Sequence, residues 1–324
     1  SQLSGPAFEA GVYTIHLGNE ATIGGTTYEA QGEWQPVPHL YYARPITDDF
    51  AFGVGLNSPF GLGTEWDPTT PFAAVATESL LRYLRASAVV SYKVNECLSI
   101  GGGLSLNYAD GSLQQSPGFP VEFEGDGFSV TWIAGIHYQP HEQHSFGVVY
   151  RSDADFDLDG TFTSPLGSSS AWLDFYTPPT AAVGYAFSPN KKLTFEANVE
   201  WVGWDSFTSL PNNFNPAGAI PFFWEDTFIY EIGFTYRFSD EIAFSMGYDY
   251  NESAQPDAVY NPAVADADRH WLHVGVTRDG EAWSWSLAYQ YGFSDRTVTG
   301  SGIGTDGNYK AEHHAIMAGL RRRF

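Results

Sequence analysis

Phe228-Ile229-Tyr230-Glu231-Ile232-Gly233-Phe234-Thr235-Tyr236-Arg237-Phe238 is the stretch on which the architecture of this chain turns. Phe228, Tyr230, Ile232, Phe234, Tyr236 and Phe238 take every second position, and Ile229, Glu231, Gly233, Thr235 and Arg237 fill the places between. Apolar residues recurring at a period of two describe a strand, because successive side chains of extended backbone point to opposite faces. After Ser239-Asp240-Glu241 the pattern resumes with Ile242, Phe244, Met246, Tyr248 and Tyr250, so a tight turn joins two antiparallel strands. Trp283, Trp285, Leu287, Tyr289 and Tyr291 repeat it, as do Leu193, Phe195, Ala197, Val199 and Trp201.

A water-soluble sandwich also alternates, so the chemistry of the two faces has to discriminate. Here the bulky face carries aromatic residues at its ends, and the other face carries Gly, Ser, Ala, Asn and scattered charge. That is the inversion expected of a transmembrane antiparallel β-barrel, with lipid outside, a lumen of small and polar residues, and Tyr and Trp girdles at the interfaces. The fold class is therefore all-β. Alternating runs fall near 6–17, 36–47, 50–63, 80–95, 98–110, 127–139, 144–160, 171–188, 192–205, 224–239, 241–252, 268–279, 282–296 and 309–324, about 14 strands. Short connections such as Thr47-Asp48-Asp49, Val94-Asn95-Glu96, Ser188-Pro189-Asn190, Ser239-Asp240-Glu241 and Arg278-Asp279-Gly280 read as periplasmic turns. Longer ones near 64–79, 110–126, 161–171, 206–223, 252–268 and 297–308 read as extracellular loops. No linker divides the chain, so residues 1–324 read as a single barrel domain.

Composition agrees. The chain has 34 glycines and 53 aromatic residues, too many aromatics for intrinsic disorder, and no apolar run of the ~18 residues that a spanning helix needs. Fifteen Lys and Arg against 38 Asp and Glu give a net charge of −23, which disfavours nucleic acid as a partner. Cys97 is alone and cannot form an internal disulfide. No cofactor-binding pattern is found. The first residues lack the basic start and apolar core of a secretory signal, so the sequence reads as mature or truncated.

At the other end Ile316, Ala318, Leu320 and Phe324 share a face, and a terminal aromatic residue on such a strand looks like the signal read by the barrel assembly machinery. Arg322 stands where an aromatic residue is common in that signal.

Several motifs then converge on one family. Pro38-His39-Leu40-Tyr41-Tyr42-Ala43-Arg44-Pro45-Ile46-Thr47-Asp48-Asp49-Phe50-Ala51-Phe52-Gly53, followed by Asn57-Ser58-Pro59-Phe60-Gly61-Leu62-Gly63-Thr64-Glu65-Trp66, resembles the FadL/TodX family of outer-membrane hydrophobic-compound transporters. Gly147-Val148-Val149-Tyr150-Arg151-Ser152, Val199-Glu200-Trp201-Val202-Gly203-Trp204 and Asp266-Ala267-Asp268-Arg269-His270-Trp271-Leu272 are similar to further strands of that family. The resemblance runs from about Ser4 to Phe324 and implies a 14-stranded barrel in the outer membrane of a Gram-negative bacterium, carrying long-chain fatty acids or, in some branches, aromatic hydrocarbons. It also implies lateral release of ligand through a kink in the third strand, which maps onto Asn57, Ser58, Pro59, Phe60 and Gly61. Pro59 has no ladder donor and Gly61 permits a bend, although a strand ending at Leu56 with a loop from Ser58 fits the same residues. The family's N-terminal hatch, with its Asn-Pro-Ala motif, has no counterpart before Phe8, so it is expected to be truncated or absent. Asn215-Pro216-Ala217 and Asn261-Pro262-Ala263 match the tripeptide but lie in later loops and read as chance.

Alternation places Val89, Ile133, Val149, Ile229 and Met317 in the lumen, where apolar side chains suit an apolar cargo or simply fill space. Arg151 and Arg237 are inward candidates for a carboxylate head group, unless they pair with Glu196, Glu200 or Glu231. Asp155, Asp157, Asp159 and Gly160 match the opening of a calcium loop, but Leu166 stands where a bidentate Glu is required, and one acidic strand face explains them better. His313 and His314 face opposite sides of a strand, and no catalytic set assembles locally, so an enzyme is not expected and no metal ligands are assigned.

The reading is thus a passive transporter of hydrophobic or amphiphilic compounds, including detergent-like molecules. It is expected to be a monomer in contact with outer-membrane lipid and lipopolysaccharide. The alternatives are a general diffusion porin for small polar solutes, a transporter of aromatic hydrocarbons, or an adhesive barrel acting through its loops.

Overall fold

A computed structural model describes residues 5–324. Among them, antiparallel pairing runs through fourteen barrel strands and closes on itself. They are β1 (Ala7–Ile23), β2 (Thr26–Glu29 and Trp34–Pro45), β3 (Phe50–Asn57 and Gly61–Glu65), β4 (Glu78–Lys93), β5 (Leu98–Gln115), β6 (Val121–His141) and β7 (His144–Arg151 and Ala154–Ser164). There follow β8 (Gly167–Thr177 and Thr180–Asn190), β9 (Leu193–Val202), β10 (Thr227–Arg237), β11 (Ile242–Asn251), β12 (Arg269–Asp279), β13 (Trp283–Val298) and β14 (Gly307–Arg323). Each strand pairs with its sequence neighbours, and β14 pairs with β1 from Ala7 opposite Arg323 to Thr22 opposite Asn308. No unpaired sheet edge is left at the seam, which is the condition for spanning a bilayer with strands.

Four of the short turns share one local device. Asn95 Oδ1 accepts the amides of Cys97 and Leu98 at 2.9 and 3.0 Å, and Asn190 Oδ1 those of Lys192 and Leu193 at 2.9 and 3.2 Å. Thr47 Oγ1 and Ser239 Oγ do the same for Asp49 and Phe50 and for Glu241 and Ile242. A side-chain oxygen that mimics a backbone acceptor closes the turn and fixes the register of the hairpin.

Around the middle of the barrel the bulky residues face outward. Val130 is 68% exposed, Leu104 63% and Ile232 61%, a belt far too apolar for contact with water. Above that belt the polarity inverts, and this corrects two of the expected loops. β5 and β6 continue to Gln115 and from Val121, and β7 and β8 meet at a turn between Ser164 and Gly167. In these extensions Phe123, Phe156, Leu158 and Leu173 are buried inward, and Glu124, Asp126, Asp155, Asp157 and Asp159 are exposed outward. Outside is now water rather than lipid, so the alternation keeps its period and exchanges its faces.

The remaining long connections fold inward. Residues 203–226 carry a small hairpin, Ser209–Pro211 with Ala219–Pro221, and bury Phe207, Leu210, Phe222 and Trp224 against Tyr83, Phe123 and Phe156. A second cluster joins Trp66, Phe72, Tyr260, Val298 and Tyr309. The apolar core of the molecule is therefore in the extracellular mouth of the barrel.

Candidate functional site

Between β2 and β3 the wall of the barrel comes apart. The two strands pair from Pro45 opposite Ala51 up to Leu40 opposite Leu56, and meet again where Gln31 bridges Glu65. There the Gln31 amide donates to the Glu65 carbonyl at 2.8 Å and Gln31 Nε2 to Glu65 Oε1 at 2.9 Å. Nine residue steps separate these clasps on each strand, Gln31 to Leu40 and Leu56 to Glu65, so the chain lengths match and the ladder could have continued. Each strand carries one bulged residue in the interval, since Glu29 to Trp34 also takes five steps against four from Glu20 to His16, so at roughly 3.3 Å for each of about eight remaining steps the unpaired interval is about 26 Å long.

Proline explains why it does not continue. From Trp34 to Ala43, β2 is paired without interruption to β1, with Pro36 opposite Thr14 and Pro38 opposite Val12. Alternate residues of an antiparallel strand turn their amides to alternate neighbours. The hairpin register through Ile23 and Thr26 assigns Gln35 and Val37 to β1, and thus Pro36 and Pro38 to the gap. Two donors are missing from that edge. Across the gap β3 is broken at Ser58-Pro59-Phe60. Four steps from Asn57 to Gly61 face three from Arg85 to Arg82 on β4, so one extra residue bulges out. Of the two readings of these residues, the strand resumes at Gly61 rather than ending at Leu56.

The gap borders a cavity of about 1010 Å³ inside the upper barrel. Asn57, Pro59, Phe60 and Gly61 line it, and the Phe60 ring packs edge-on against Tyr83 at 5.6 Å. Its upper walls are the aromatic cluster of Phe123, Phe207, Phe222 and Trp224, and its lower part carries Val89, Ile133, Arg151 and Ile229. Gly55 keeps the lumen side of β3 low beside the gap, since a Cβ there would lie 2.8 Å from the Tyr41 ring. A second space of about 690 Å³ shares Val89, Ile133, Arg151 and Glu200 with the first and adds Val149, Asn198 and Glu231.

Charge in the lumen is divided. Arg85 reaches from β4 to the gap, its Nε donating to Asn57 Oδ1 at 3.4 Å, and lies close enough to Arg151 for the two guanidiniums to repel. Neither has a carboxylate within ion-pair distance among the described residues. On the opposite wall the acids are engaged: Glu231 accepts from Asn198 Nδ2 at 3.0 Å and Asp249 pairs with His273 at 2.8 Å. The alternative pairing of Arg151 with Glu196, Glu200 or Glu231 is therefore not formed.

Two of the expected lumen residues do not border either cavity. Arg237 is at the periplasmic rim, bonded to Asp279 at 3.1 Å, because it ends β10 beside the β12 turn. Met317 faces inward between Tyr13 and Ala288, low in the barrel and away from both spaces. Sequence reasoning passed over Arg85, although it shares the inward face of β4 with Val89, and passed over the Pro36-x-Pro38 spacing. Both were readable signals. The inward packing of 203–226 and 252–268 had none, because loops carry no periodicity.

A family model described as outer membrane protein transport protein (OMPP1/FadL/TodX) matches residues 8–298. The long-chain fatty acid transport protein of Salmonella typhi is 23% identical over 84% of this chain and 74% of its own length. Among solved structures, a FadL homologue of Pseudomonas aeruginosa superposes with a TM-score of 0.89 at 18% identity, covering 99% of this chain and 91% of its own. The toluene transporter TbuX of Ralstonia pickettii superposes at 0.77 with 15% identity, over 100% and 90% of the two chains.

Proposed function

The chain belongs to the outer membrane protein transport family (OMPP1/FadL/TodX), whose members carry hydrophobic compounds across the outer membrane and are transporters rather than enzymes, and from that premise we propose that it binds long-chain amphiphiles in the upper cavity and releases them sideways through the β2–β3 gap. One observation carries this reading: a break in the lipid-facing wall, bounded by matched clasps, lies against a largely apolar cavity. The cavity meets the gap directly at Asn57, Pro59, Phe60 and Gly61, and an apolar solute gains about 25 cal/mol for each Å² it keeps out of water.

The preferred cargo carries an anionic head. Arg85 and Arg151 stand uncompensated at the base of an aromatic chamber, so a carboxylate placed between them ends their mutual repulsion while its tail occupies the space below Phe123 and Phe222. Neutral aromatic hydrocarbons would use the chamber without using the arginines. A general porin for sugars fits less well, because the inward loops fill the mouth. The closed seam between β14 and β1 leaves no edge for a second copy, which supports a monomer surrounded by lipid and lipopolysaccharide. The outward face at the end of β14, Ile316 and Leu320 leading to Phe324, with Arg322 set over the rings of Trp283 and Phe324, is the surface offered to the assembly machinery.

The test restores the missing donors. Pro36→Thr, Pro38→Thr and Pro59→Thr together allow the β2–β3 ladder to zip between clasps that are already in register. In liposomes, with correct folding checked by heat-modified gel mobility, transfer of a long-chain fatty acid should fall at least about tenfold, since each 1.4 kcal/mol added to the barrier is a factor of ten. Transfer at the wild-type rate through a folded triple variant would rule out the gap as the exit.

A further inference from the structure

The connection from Glu252 to Asp268 does not project from the barrel as an extracellular loop would. Tyr260 and Asn261 are 0% and 4% exposed, and Asn261, Ala263, Val264 and Asp266 form part of the ceiling of the upper cavity. The segment is folded on itself: Asp266 Oδ2 accepts the amides of Ala254 and Gln255 at 2.8 and 3.0 Å, and Gln255 Oε1 accepts the Asn261 amide at 2.8 Å. It is a preformed piece rather than a slack chain.

One side chain makes more of the bonds that hold that piece in the mouth than any other. Arg296, on β13, donates through Nη1 to Ser253 Oγ at 2.6 Å and to the Asp266 carbonyl at 3.3 Å. Through Nη2 it donates to the Gln255 carbonyl at 2.5 Å and to Asp257 Oδ1 at 2.7 Å, and its guanidinium lies 4.9 Å from the Tyr260 ring centre. Among the described residues, every side-chain partner of Arg296 belongs to this one segment. Single bonds from other residues add to it: Trp66 Nε1 donates to the Pro262 carbonyl at 2.9 Å, Thr305 Oγ1 to the Tyr260 carbonyl at 2.8 Å, and the amides of Glu225, Gly302 and Thr299 to the Ala254 carbonyl, the Ala258 carbonyl and Asp257 Oδ2 at 2.9, 3.0 and 3.2 Å.

We propose that residues 252–268 are a lid over the ligand cavity, latched shut by Arg296, and that a hydrophobic solute reaches the cavity when this latch opens. Two features make the segment movable as a unit. Its internal bonds do not depend on the wall, and the side chain that makes the most bonds to it is a charged fork that water can replace at the extracellular surface. Val264 and Ala263 point into the cavity, so a solute that fills the chamber presses on the lid directly. The proposal rests on the reading of the cavity as the transport chamber, but the lid itself is open to a measurement that needs no ligand.

The variants are Arg296→Ala and Arg296→Lys in the full chain, reconstituted in planar bilayers and in liposomes. A protease that cuts after Glu and Asp probes Glu252 and Asp257. Loss of the charged fork should raise cutting in this segment and the potassium conductance by about tenfold or more, with Arg296→Lys in between, and fatty-acid transfer should rise in step. Unchanged cutting in a folded Arg296→Ala variant would overturn the latch, and cutting without a rise in conductance would overturn the lid. A rise in conductance without any fatty-acid transfer by either protein keeps the lid and instead rejects the cargo assigned to the chamber.

Discussion

Arg85 and Arg151 show how much a single residue's surroundings matter to a lumen. Both are inward on their strands, both lack a carboxylate among the described residues, and Arg85 touches the broken strand through Asn57. Arg237 has the same chemistry and none of the role, because Asp279 neutralises it at the rim. Hydrogen bonds to charged groups contribute about 1.5–3 kcal/mol each. Arg85→Gln or Arg151→Gln should therefore weaken binding of a long-chain carboxylate by about tenfold and leave a long-chain alcohol nearly unchanged. Competition against a fluorescent fatty acid measures both, and equal loss for acid and alcohol would show that the arginines only shape the chamber. Arg151 was legible in the sequence as an inward cation. Its freedom was not, because Glu196 and Glu200 stand two strands away and Glu231 three, and only the folded barrel shows that none of them reaches it.

At the scale of the element, the turns and the broken strand are opposite uses of local chemistry. In the turns a single oxygen satisfies two amides and ends a hairpin in one register. Asn95→Ala removes the acceptor of the Cys97 and Leu98 amides, and should cost about 1 kcal/mol of stability without touching transport. Urea unfolding in micelles checks this, and a loss of transport in the folded variant would place a function in the turn. In β2 and β3 the same accounting is left deliberately incomplete. Pro36, Pro38 and the bulge at Pro59 remove donors and phase where the clasps would otherwise close. Pro59 was readable as a break from the sequence. The matching prolines on β2 acquire their meaning only once Pro36 and Pro38 are known to face β3 rather than β1.

For the whole molecule, the mouth is closed by four connections that pack on one another rather than on the lipid belt. Asp67 and Asp306 fix two of them. The Thr69 hydroxyl and amide, at 2.6 and 2.8 Å, hold the Asp67 carboxyl below its ordinary value of 3.8. Ser301 and then the Gly300 amide do the same for Asp306. A carboxylate whose pKa is depressed by folding stabilises the folded loop above its ordinary value, and that contribution fades as pH falls through the depressed one. Amide exchange in residues 66–77 and 299–306, corrected for its intrinsic pH dependence, should thus lose protection as pH falls below the ordinary carboxyl value of 3.8 and through the depressed ones, with the barrel strands unaffected. Protection that stays constant over that range would show that packing alone holds these loops.

The sequence by itself determined the class, the strand number and the membrane, because a period of two with aromatic girdles and a small-residue face has one physical solution in a bilayer: a closed barrel. It also marked Pro59 and the family to which the chain belongs. Only the tertiary structure decided where the wall opens along its length, which lumen charges are left unpaired, and which connections turn inward. Each of these depends on residues far apart in sequence meeting across the barrel, and alternation along one strand carries no information about what stands opposite. The reversal of polarity above the lipid belt lies between the two cases. Its pattern is written in Phe123, Phe156 and Leu158 and in the acids that alternate with them, but its sign is set by whether water or lipid lies outside at that height.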